Sequence, residues 1–379
     1  MQEISYTFER KRLLPGFDGK FCKVCPSVLS DGENNALLLY TTLNLSGSDV
    51  FHGDFCCKST DGGKSFSAPK QMRNLDKTVD GIRYHFSGCE HFYHKQKKIW
   101  LGVGCVLGYA DEHEPYMVNG VTFGKPVYLP IDFNSQDWVG EPLDLPFPYE
   151  SMSIFSHGQP LVYPNGEILL TFYFAPQNQT MTQVVSVKYK LDDNNRLQIV
   201  EAGEPIACEK YGYRGLAEPS AAYLNGKYYM TIRDDDYGLL SYSDDGLHFT
   251  SPEIWKWDDG SLLENYNTMQ RWIRTEKGLF LAYTRRGAHN DHVFRHRAPL
   301  FMTRFDEERK CLIRSEEIIL VPELGARLGN FFVTEASEKE SWLITAEWMQ
   351  TTGPDVFDWT QCVKYGSDNS LWLVKLFFE

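Results

Sequence analysis

The strongest constraint on the fold is a series of short apolar runs, each of which ends in turn residues. Several runs follow or precede dipeptides typical of β-hairpin turns, such as Asp31-Gly32, Asn165-Gly166 and Asn225-Gly226. No stretch has apolar residues at the spacing of one helix face over several turns. The pattern therefore predicts an all-β chain of many short strands. The clearest runs are residues 36–40, 99–103, 168–173, 228–232, 279–283 and 342–346.

A repeated turn sequence indicates how these strands are arranged. Residues 59–66 read Ser-Thr-Asp-Gly-Gly-Lys-Ser-Phe, and a shortened relative at 243–249 reads Ser-Asp-Asp-Gly-Leu-His-Phe. In such a turn the Asp carboxylate accepts backbone N–H bonds and a glycine takes a positive φ. The two copies start 243 − 59 = 184 residues apart, which is three units of about 61, and a six-bladed propeller of this length has units of about 63. We predict one domain over residues 1–379, a six-bladed β-propeller, with seven blades as the alternative.

Composition and charge exclude several classes of protein. The net charge is 38 − 51 = −13, which repels nucleic-acid backbones and anionic membrane surfaces. No apolar run is long enough to cross a bilayer. The first residues lack a basic region followed by an apolar stretch, so we expect a cytoplasmic protein, with a trimmed secreted form as the alternative. The nine cysteines are odd in number and scattered, which is typical of reduced thiols.

Candidate metal ligands occur in two places, and neither predicts a site. Cys22 and Cys25 have the CxxC spacing, but no second pair follows to complete a tetrahedral zinc site. His289, His292 and His296 lie close together in the chain, yet nothing makes three or four ligands converge. We therefore expect no metal and no cofactor.

The segment from Arg271 to Arg304 is strongly basic in an acidic chain. Its eight basic and two acidic residues give 8 − 2 = +6, and seven of the eight are arginines. Because arginine forms bidentate bonds to carboxylates, an anion-binding role is favoured over a solvated surface, with Arg285 among the candidates. General acid/base work by His292, or by His157 at the start of a predicted strand, remains open. Tyr266 is a candidate for stacking on a sugar ring.

The first turn sequence carries a family resemblance. Residues 59–66 match the Asp-box (BNR) motif of the sialidase superfamily, and the order of other segments is also similar. Residues 23–27, Lys-Val-Cys-Pro-Ser, precede the box and resemble the family's Arg-Ile-Pro segment. Glu218-Pro219-Ser220, a hairpin and then Arg233 resemble its Glu-before-Arg segment. The resemblance implies a six-bladed propeller whose central funnel presents arginines to a sugar carboxylate.

The resemblance also implies roles for single residues. Three arginines bind the carboxylate in sialidases, and Arg233 and Arg297 fall at the second and third positions, whereas Lys23 stands at the first. Glu218 falls on the glutamate that works with the nucleophilic tyrosine, as base or as part of the nucleophile.

Two further positions are less well defined. The acid/base aspartate comes from the loop that holds Asp49 and Asp54, and the alternatives stay open. The nucleophilic tyrosine is expected roughly thirty residues after the third arginine, but residues 325–331 contain no tyrosine. Arg327 in that region is a further candidate for binding substrate.

Together these observations favour a carbohydrate-active enzyme. We expect a glycoside hydrolase resembling exo-sialidases, which acts on a terminal acidic sugar of an oligosaccharide or glycan, with no nucleic acid or membrane as partner. The alternatives are a uronate lyase on the same propeller, which the absent tyrosine favours, and a non-catalytic glycan-binding propeller. The oligomeric state stays open. Glu218 and Arg233 flank the turn Asn225-Gly226 symmetrically, so we expect them to be cross-strand partners.

Overall fold

Strands and turns account for almost all of the computed structural model, which describes residues 4–46, 49–156, 158–208 and 212–379, with only the backbone at 88 and 89. In chain order the first strands are β1 (Tyr6–Leu13), β2 (Phe21–Ser30), β3 (Ala36–Asn44), β4 (Phe51–Ser59), β5 (Lys70–Gln71), β6 (Lys77–Val79), β7 (Ile82–His94), β8 (Ile99–Tyr109), β9 (Met117–Val118), β10 (Val121–Thr122), β11 (Gly124–Asp132), β12 (Asp137–Trp138), β13 (Leu143–Asp144), β14 (Ser151–Ser156) and β15 (Leu161–Val162). The later strands are β16 (Ile168–Pro176), β17 (Gln183–Leu191), β18 (Leu197–Ala202), β19 (Ala217–Leu224), β20 (Lys227–Arg233), β21 (Gly238–Ser243), β22 (Glu253–Ile254), β23 (Arg271–Thr275), β24 (Gly278–Tyr283), β25 (Leu300–Asp306), β26 (Cys311–Leu312), β27 (Ile318–Val321), β28 (Phe332–Ser337), β29 (Glu340–Ala346) and β30 (Leu371–Phe378).

In the part of the chain that the structure describes, helical structure is confined to short segments. There, two 3-10 turns cover Phe294–His296 and Arg314–Glu316, and one α-helix, α1, covers Trp359–Tyr365. Asp358 caps the start of α1 by accepting a hydrogen bond from the Thr360 amide at 3.2 Å. Within the described ranges, no helix has the length and apolar character to cross a membrane.

The described residues form six sheets of at least four strands each, and β9 and β10 form a separate hairpin. Neighbouring strands pair antiparallel, as between β2 and β3 and between β19 and β20. The strand orders are β2-β3-β4-β5 in sheet I, β6-β7-β8-β11-β12 with β13 beside β11 in sheet II, β14-β16-β17-β18 with β15 beside β16 in sheet III, β19-β20-β21-β22 in sheet IV, β23-β24-β25-β26 with β27 beside β25 in sheet V, and β28-β29-β30-β1 in sheet VI.

The sheets follow one another in the manner of a β-propeller. β2 contacts β7, β14 contacts β8 and β11, and β16 contacts β19. β19 in turn contacts β23, β23 contacts β28, and β28 returns to β2. The predicted all-β class and propeller arrangement are confirmed.

The prediction of six blades is met only in part, because the structure shows five blades of the predicted kind. Five blades, sheets I to V, are each built from one uninterrupted stretch of chain. Sheet VI instead joins β1 from the start of the chain to β28, β29 and β30 from its end. Pairing between chain ends holds a ring closed without any long connection.

The six apolar runs predicted as strands are all strands, and each is an interior strand of a different sheet. Such a strand has neighbours on both edges and faces packed against the adjacent sheets, so it is apolar on both sides. β24 is buried at every position. The hairpin at Asn225-Gly226 also forms as predicted, with Leu224 paired to Lys227.

Both predicted aspartate turns have the expected geometry. The amides of Lys64 and Ser65 donate to Oδ1 of Asp61 at 3.0 Å, and the amides of Leu247 and His248 donate to Oδ1 of Asp245 at 2.8 Å. Each turn joins the third strand of its sheet to the fourth. We call this end of the sheets the lower face, and the end where β2, β7, β14, β19, β23 and β28 begin the upper face.

A buried ion pair joins the inner strands of two sheets. Arg271 at the start of β23 donates to Glu90 in β7, and both side chains are almost fully inaccessible. The pair connects sheets II and V, which are not neighbours in the ring, so it crosses the centre of the propeller. The eight cysteines whose side chains are described are all free.

Candidate functional site

Most of the predicted site residues lie at the upper face, because chain segments that precede inner strands or follow second strands end there. The turn between β3 and β4, the end of β20, the segment before β23 and the segment between β24 and β25 all belong to this face. Residues from these four segments, which are far apart in sequence, therefore lie at the same face.

Glu218 and Arg233 form an ion pair at the start of sheet IV. Their side chains are 2.6 Å apart and only 11 % and 14 % exposed. The predicted pairing is wrong by one position, because a β-bulge between Ala217 and Ser220 places Ala217 opposite Arg233. Glu218 occupies this bulge with a φ of 45°, and the contact between the two side chains forms nevertheless.

Asn267 connects several arginines. Its Oδ1 accepts from Nη2 of Arg233 at 2.6 Å and from Nη2 of Arg214 at 3.1 Å. Its backbone carbonyl accepts from Arg297, and its amide donates to the Asp234 carbonyl at 2.8 Å. The residue has a φ of 47°, a conformation that asparagine tolerates better than most residues. The loop before β23 is thereby fixed against the end of β20.

Arg297 is buried and incompletely paired. It is 4 % exposed, and its Nε has no hydrogen-bond partner within the described part of the chain. Burial and the neighbouring charges of Arg327, Arg233 and Arg295 hold the pKa of Arg297 well below its usual range. Gly329 lies against the side chain, and a Cβ there would stand 2.5 Å from Arg297 Cδ.

Arg327 is the second buried guanidinium. It is also 4 % exposed, and it lies 3.4 Å from the centre of the Trp348 ring. Burial is the main cause that lowers the pKa of Arg327 to about 9; the charge of Asp49 opposes this shift and that of Arg295 adds to it. Its Nε is buried with no hydrogen-bond partner among the residues described. We call Arg233, Arg295, Arg297 and Arg327 the arginine cluster.

The two aspartates proposed as the acid lie in different surroundings. Asp49 is exposed, and its charge acts on both Arg327 and Arg295, so it borders the arginine cluster. Asp54 lies opposite Thr41 in sheet I. Burial raises the pKa of Asp54 to about 6, and the strongest opposing influence is the charge of His85. Of the two carboxylates, Asp49 is the one beside the arginine cluster.

The remaining substrate-binding candidates have other contacts. Lys23 donates from Nζ to the Gly16 carbonyl at 2.7 Å, and burial lowers the pKa of Lys23. Arg285 forms a bidentate pair with Glu317 at 2.8 and 2.6 Å. Neither contact involves the arginine cluster.

Three further candidates are aromatic or imidazole side chains, and two of them are described. His292 lies 3.0 Å from Glu323 and stacks on Tyr365 with 4.4 Å between ring centres. Tyr266 precedes Asn267 and bonds through its hydroxyl to Nδ1 of His296 at 2.6 Å. His157 lies outside the described residues.

Some residues of this site were not selected from the sequence. Asn267 and Arg214 carry no motif, because a single amide or arginine in a loop does not indicate what it contacts. Arg295 and His296 belong to the basic segment, but nothing in the segment distinguished them from their neighbours. The described residues contain no group of three or more His, Cys, Asp or Glu side chains that could hold a metal ion.

Comparison with known proteins shows the fold but not a family. No protein-family model matches the chain, and no curated protein sequence does. A protein of unknown function from Dyadobacter fermentans has a similar structure, with a TM-score of 0.66, 15% identity, and coverage of 98% of this chain and 99% of that one.

Two sialidases are similar as well. Trypanosoma rangeli sialidase has a TM-score of 0.58 at 12% identity over 97% of this chain, which spans 59% of the sialidase; that enzyme has also been solved with sialic acid. The endosialidase of phage phi92 has a TM-score of 0.58 at 11% identity over 98% of this chain and 69% of its own. At these identities the likeness shows a sialidase-like propeller fold.

Proposed function

We propose that the chain is a carbohydrate-active enzyme, a glycoside hydrolase that acts on a terminal acidic sugar of a glycan. The observation that carries this proposal is the pair of buried guanidiniums, Arg297 and Arg327. Neither forms an ion pair with a described residue. A buried, uncompensated charge costs several kcal/mol, about as much as breaking a buried ion pair. A carboxylate ligand between the two removes that cost.

The arrangement supports different roles for the residues around such a carboxylate. Arg233, Arg297 and Arg327 would bind it, and Asp49, which borders the same cluster, would protonate the leaving group. Glu218 is committed to Arg233 at 2.6 Å, so we assign it to holding that guanidinium in place. The sialidases with a similar fold, one of them solved with sialic acid, support a sialic acid or related sugar as the first ligand to test.

We also propose that sheet VI is a sixth blade. Its inner strand β28 contacts both β23 and β2, as expected of a blade between sheets V and I. A six-membered ring would place the inner strands of sheets II and V opposite each other, which agrees with the ion pair between Glu90 and Arg271.

Mass spectrometry of acidic oligosaccharides incubated with the protein tests the function. A product pair whose masses sum to the substrate plus one water is expected. Products without the added water mean elimination, and would favour the uronate lyase. Binding of an acidic sugar without any product would favour the non-catalytic glycan-binding propeller.

A further inference from the structure

Three side chains form a hydrogen-bonded chain that ends at the protein surface. The Tyr266 hydroxyl lies 2.6 Å from Nδ1 of His296. Nε2 of His296 lies 3.2 Å from Oδ1 of Asp291, whose side chain is 96% exposed. With Nδ1 as acceptor, the imidazole carries its proton on Nε2 and donates to Asp291. The arrangement therefore connects a partly buried phenol to solvent through one imidazole.

The inner end of this chain is next in sequence to residues of the proposed carboxylate site. Tyr266 precedes Asn267, which bonds Arg233 and Arg297, and His296 lies between Arg295 and Arg297 in the sequence. The guanidinium of Arg286 lies 3.7 Å from the centre of the Tyr266 ring. Such a contact holds the ring in place.

We propose that Tyr266 is the general base of the reaction and that His296 and Asp291 position it and pass its proton on. This proposal rests on the proposed hydrolase function. It assigns the role of base to Tyr266, because Glu218, the earlier candidate, is bound to Arg233. His296 and Asp291 act through Tyr266 and are positioning residues.

The proton transfers balance in a single displacement. A water molecule gives a proton to the Tyr266 oxygen while the phenol proton moves to His296 Nδ1. The resulting hydroxide forms a bond to the anomeric carbon as the glycosidic C–O bond breaks. The leaving oxygen takes a proton from Asp49. The imidazolium then releases its Nε2 proton through Asp291 to solvent. Nδ1 returns its proton to Tyr266 as the phenol gives its own to solvent, Nε2 regains a proton through Asp291, and solvent reprotonates Asp49.

Turnover of two acidic aryl glycosides, an aryl sialoside and an aryl glucuronide, tests the base. An aryl leaving group needs little protonation, so the rate depends on the base step. We expect Tyr266→Phe to lower kcat by about 100-fold or more with KM within about threefold, the range for loss of general acid/base catalysis. His296→Gln should lower kcat similarly and shift the acid limb of the pH profile. Tyr242→Phe is the matched control, since Tyr242 also lies under a cation, Lys310 at 3.5 Å, and we expect unchanged kinetics.

Nitrogen-15 NMR of His296 gives a readout that needs no turnover. The proposal requires an unprotonated, hydrogen-bonded Nδ1 whose resonance shifts in Tyr266→Phe. A proton on Nδ1, or wild-type kcat and pH profile in both Tyr266→Phe and His296→Gln, would overturn the relay and leave the hydrolase function standing. A wild-type protein that cleaves neither glycoside but binds acidic sugars would instead reject the hydrolase function, and the base with it.

Discussion

Replacing Arg327 by methionine should stabilise the unliganded protein and abolish its binding of an acidic sugar. Burial lowers the pKa of Arg327 from its ordinary 12.5 to about 9. Each tenfold change in proton affinity corresponds to about 1.4 kcal/mol, so holding this charge at pH 7 costs the fold about 5 kcal/mol. The cation–π contact of Arg327 with Trp348 at 3.4 Å stabilises the fold by about 2 kcal/mol. We expect Arg327→Met to raise the free energy of unfolding by about 1–3 kcal/mol.

Arg285→Met is the control, because it makes the same change at an arginine that has a glutamate partner and is 19% exposed. Glu317 would lose both of its bonds to Arg285 and remain 14% exposed. Removing one partner of such a pair typically costs about 3–5 kcal/mol, so the control should lose stability. Urea unfolding of the three proteins at pH 7 measures both effects. A loss of stability in Arg327→Met as large as that in Arg285→Met would refute the reasoning, since Arg327 would then be compensated within the fold.

Three further outcomes are expected. Burial lowers the pKa of His91 to about 3, below its unfolded value of about 6.5. The stability that the neutral imidazole contributes is therefore fully present above pH 6.5 and falls by up to about 5 kcal/mol towards pH 3. Urea unfolding at a series of pH values should show a smaller loss of stability in acid for His91→Gln than for the wild type. Gly62 and Gly63 share a φ of 71°, but only at Gly63 would a Cβ meet Trp342, at 2.5 Å; Gly62→Ala should cost about 1 kcal/mol and Gly63→Ala about 2–4, and equal losses in thermal unfolding would contradict the packing argument. Arg233→Lys should keep the fold and cost about 2–5 kcal/mol in acidic-sugar binding by calorimetry, whereas unchanged affinity would remove Arg233 from the carboxylate site.

The strands were predictable because their signal is local. Each of these interior strands is buried on both faces, so its apolar run is visible without knowledge of the neighbours. The aspartate turns were predictable for the same reason, since Asp61 bonds amides only three and four residues away. The composition of sheet VI was not predictable, because the pairing of β1 with β30 joins residues at opposite ends of the chain.

The basic segment shows what the sequence leaves undetermined. It contains eight cations, but four of its arginines are neutralised by glutamates that lie between 12 and 181 residues away. These pairs are Arg271 with Glu90, Arg274 with Glu335, Arg285 with Glu317 and Arg304 with Glu316. Composition therefore predicted an excess of arginine. Which arginines lack a glutamate partner could be identified only from the structure, because the sheets determine which glutamates lie beside them.

The ion pair between Glu218 and Arg233 was predictable only in part. The symmetric spacing around the turn Asn225-Gly226 predicted that the side chains would meet, and they do. The bulge that shifts their register by one residue has no strong sequence signal, because Glu218 itself adopts the positive φ that a glycine would usually indicate. Asn267 bonds Arg233 from a different sheet, so no local pattern could have assigned it.

Calorimetry with sialic acid and its C1 carboxamide tests the central claim most directly, because the two ligands have the same shape and differ in the charge of one group. The guanidiniums of Arg297 and Arg327 should bind the carboxylate and discriminate against the neutral amide by about 2 kcal/mol or more, which corresponds to about 30-fold or more in Kd. We predict measurable binding of sialic acid and at least this loss for the amide. Equal affinity for the acid and the amide, or binding of neither, would contradict a carboxylate site in the arginine cluster.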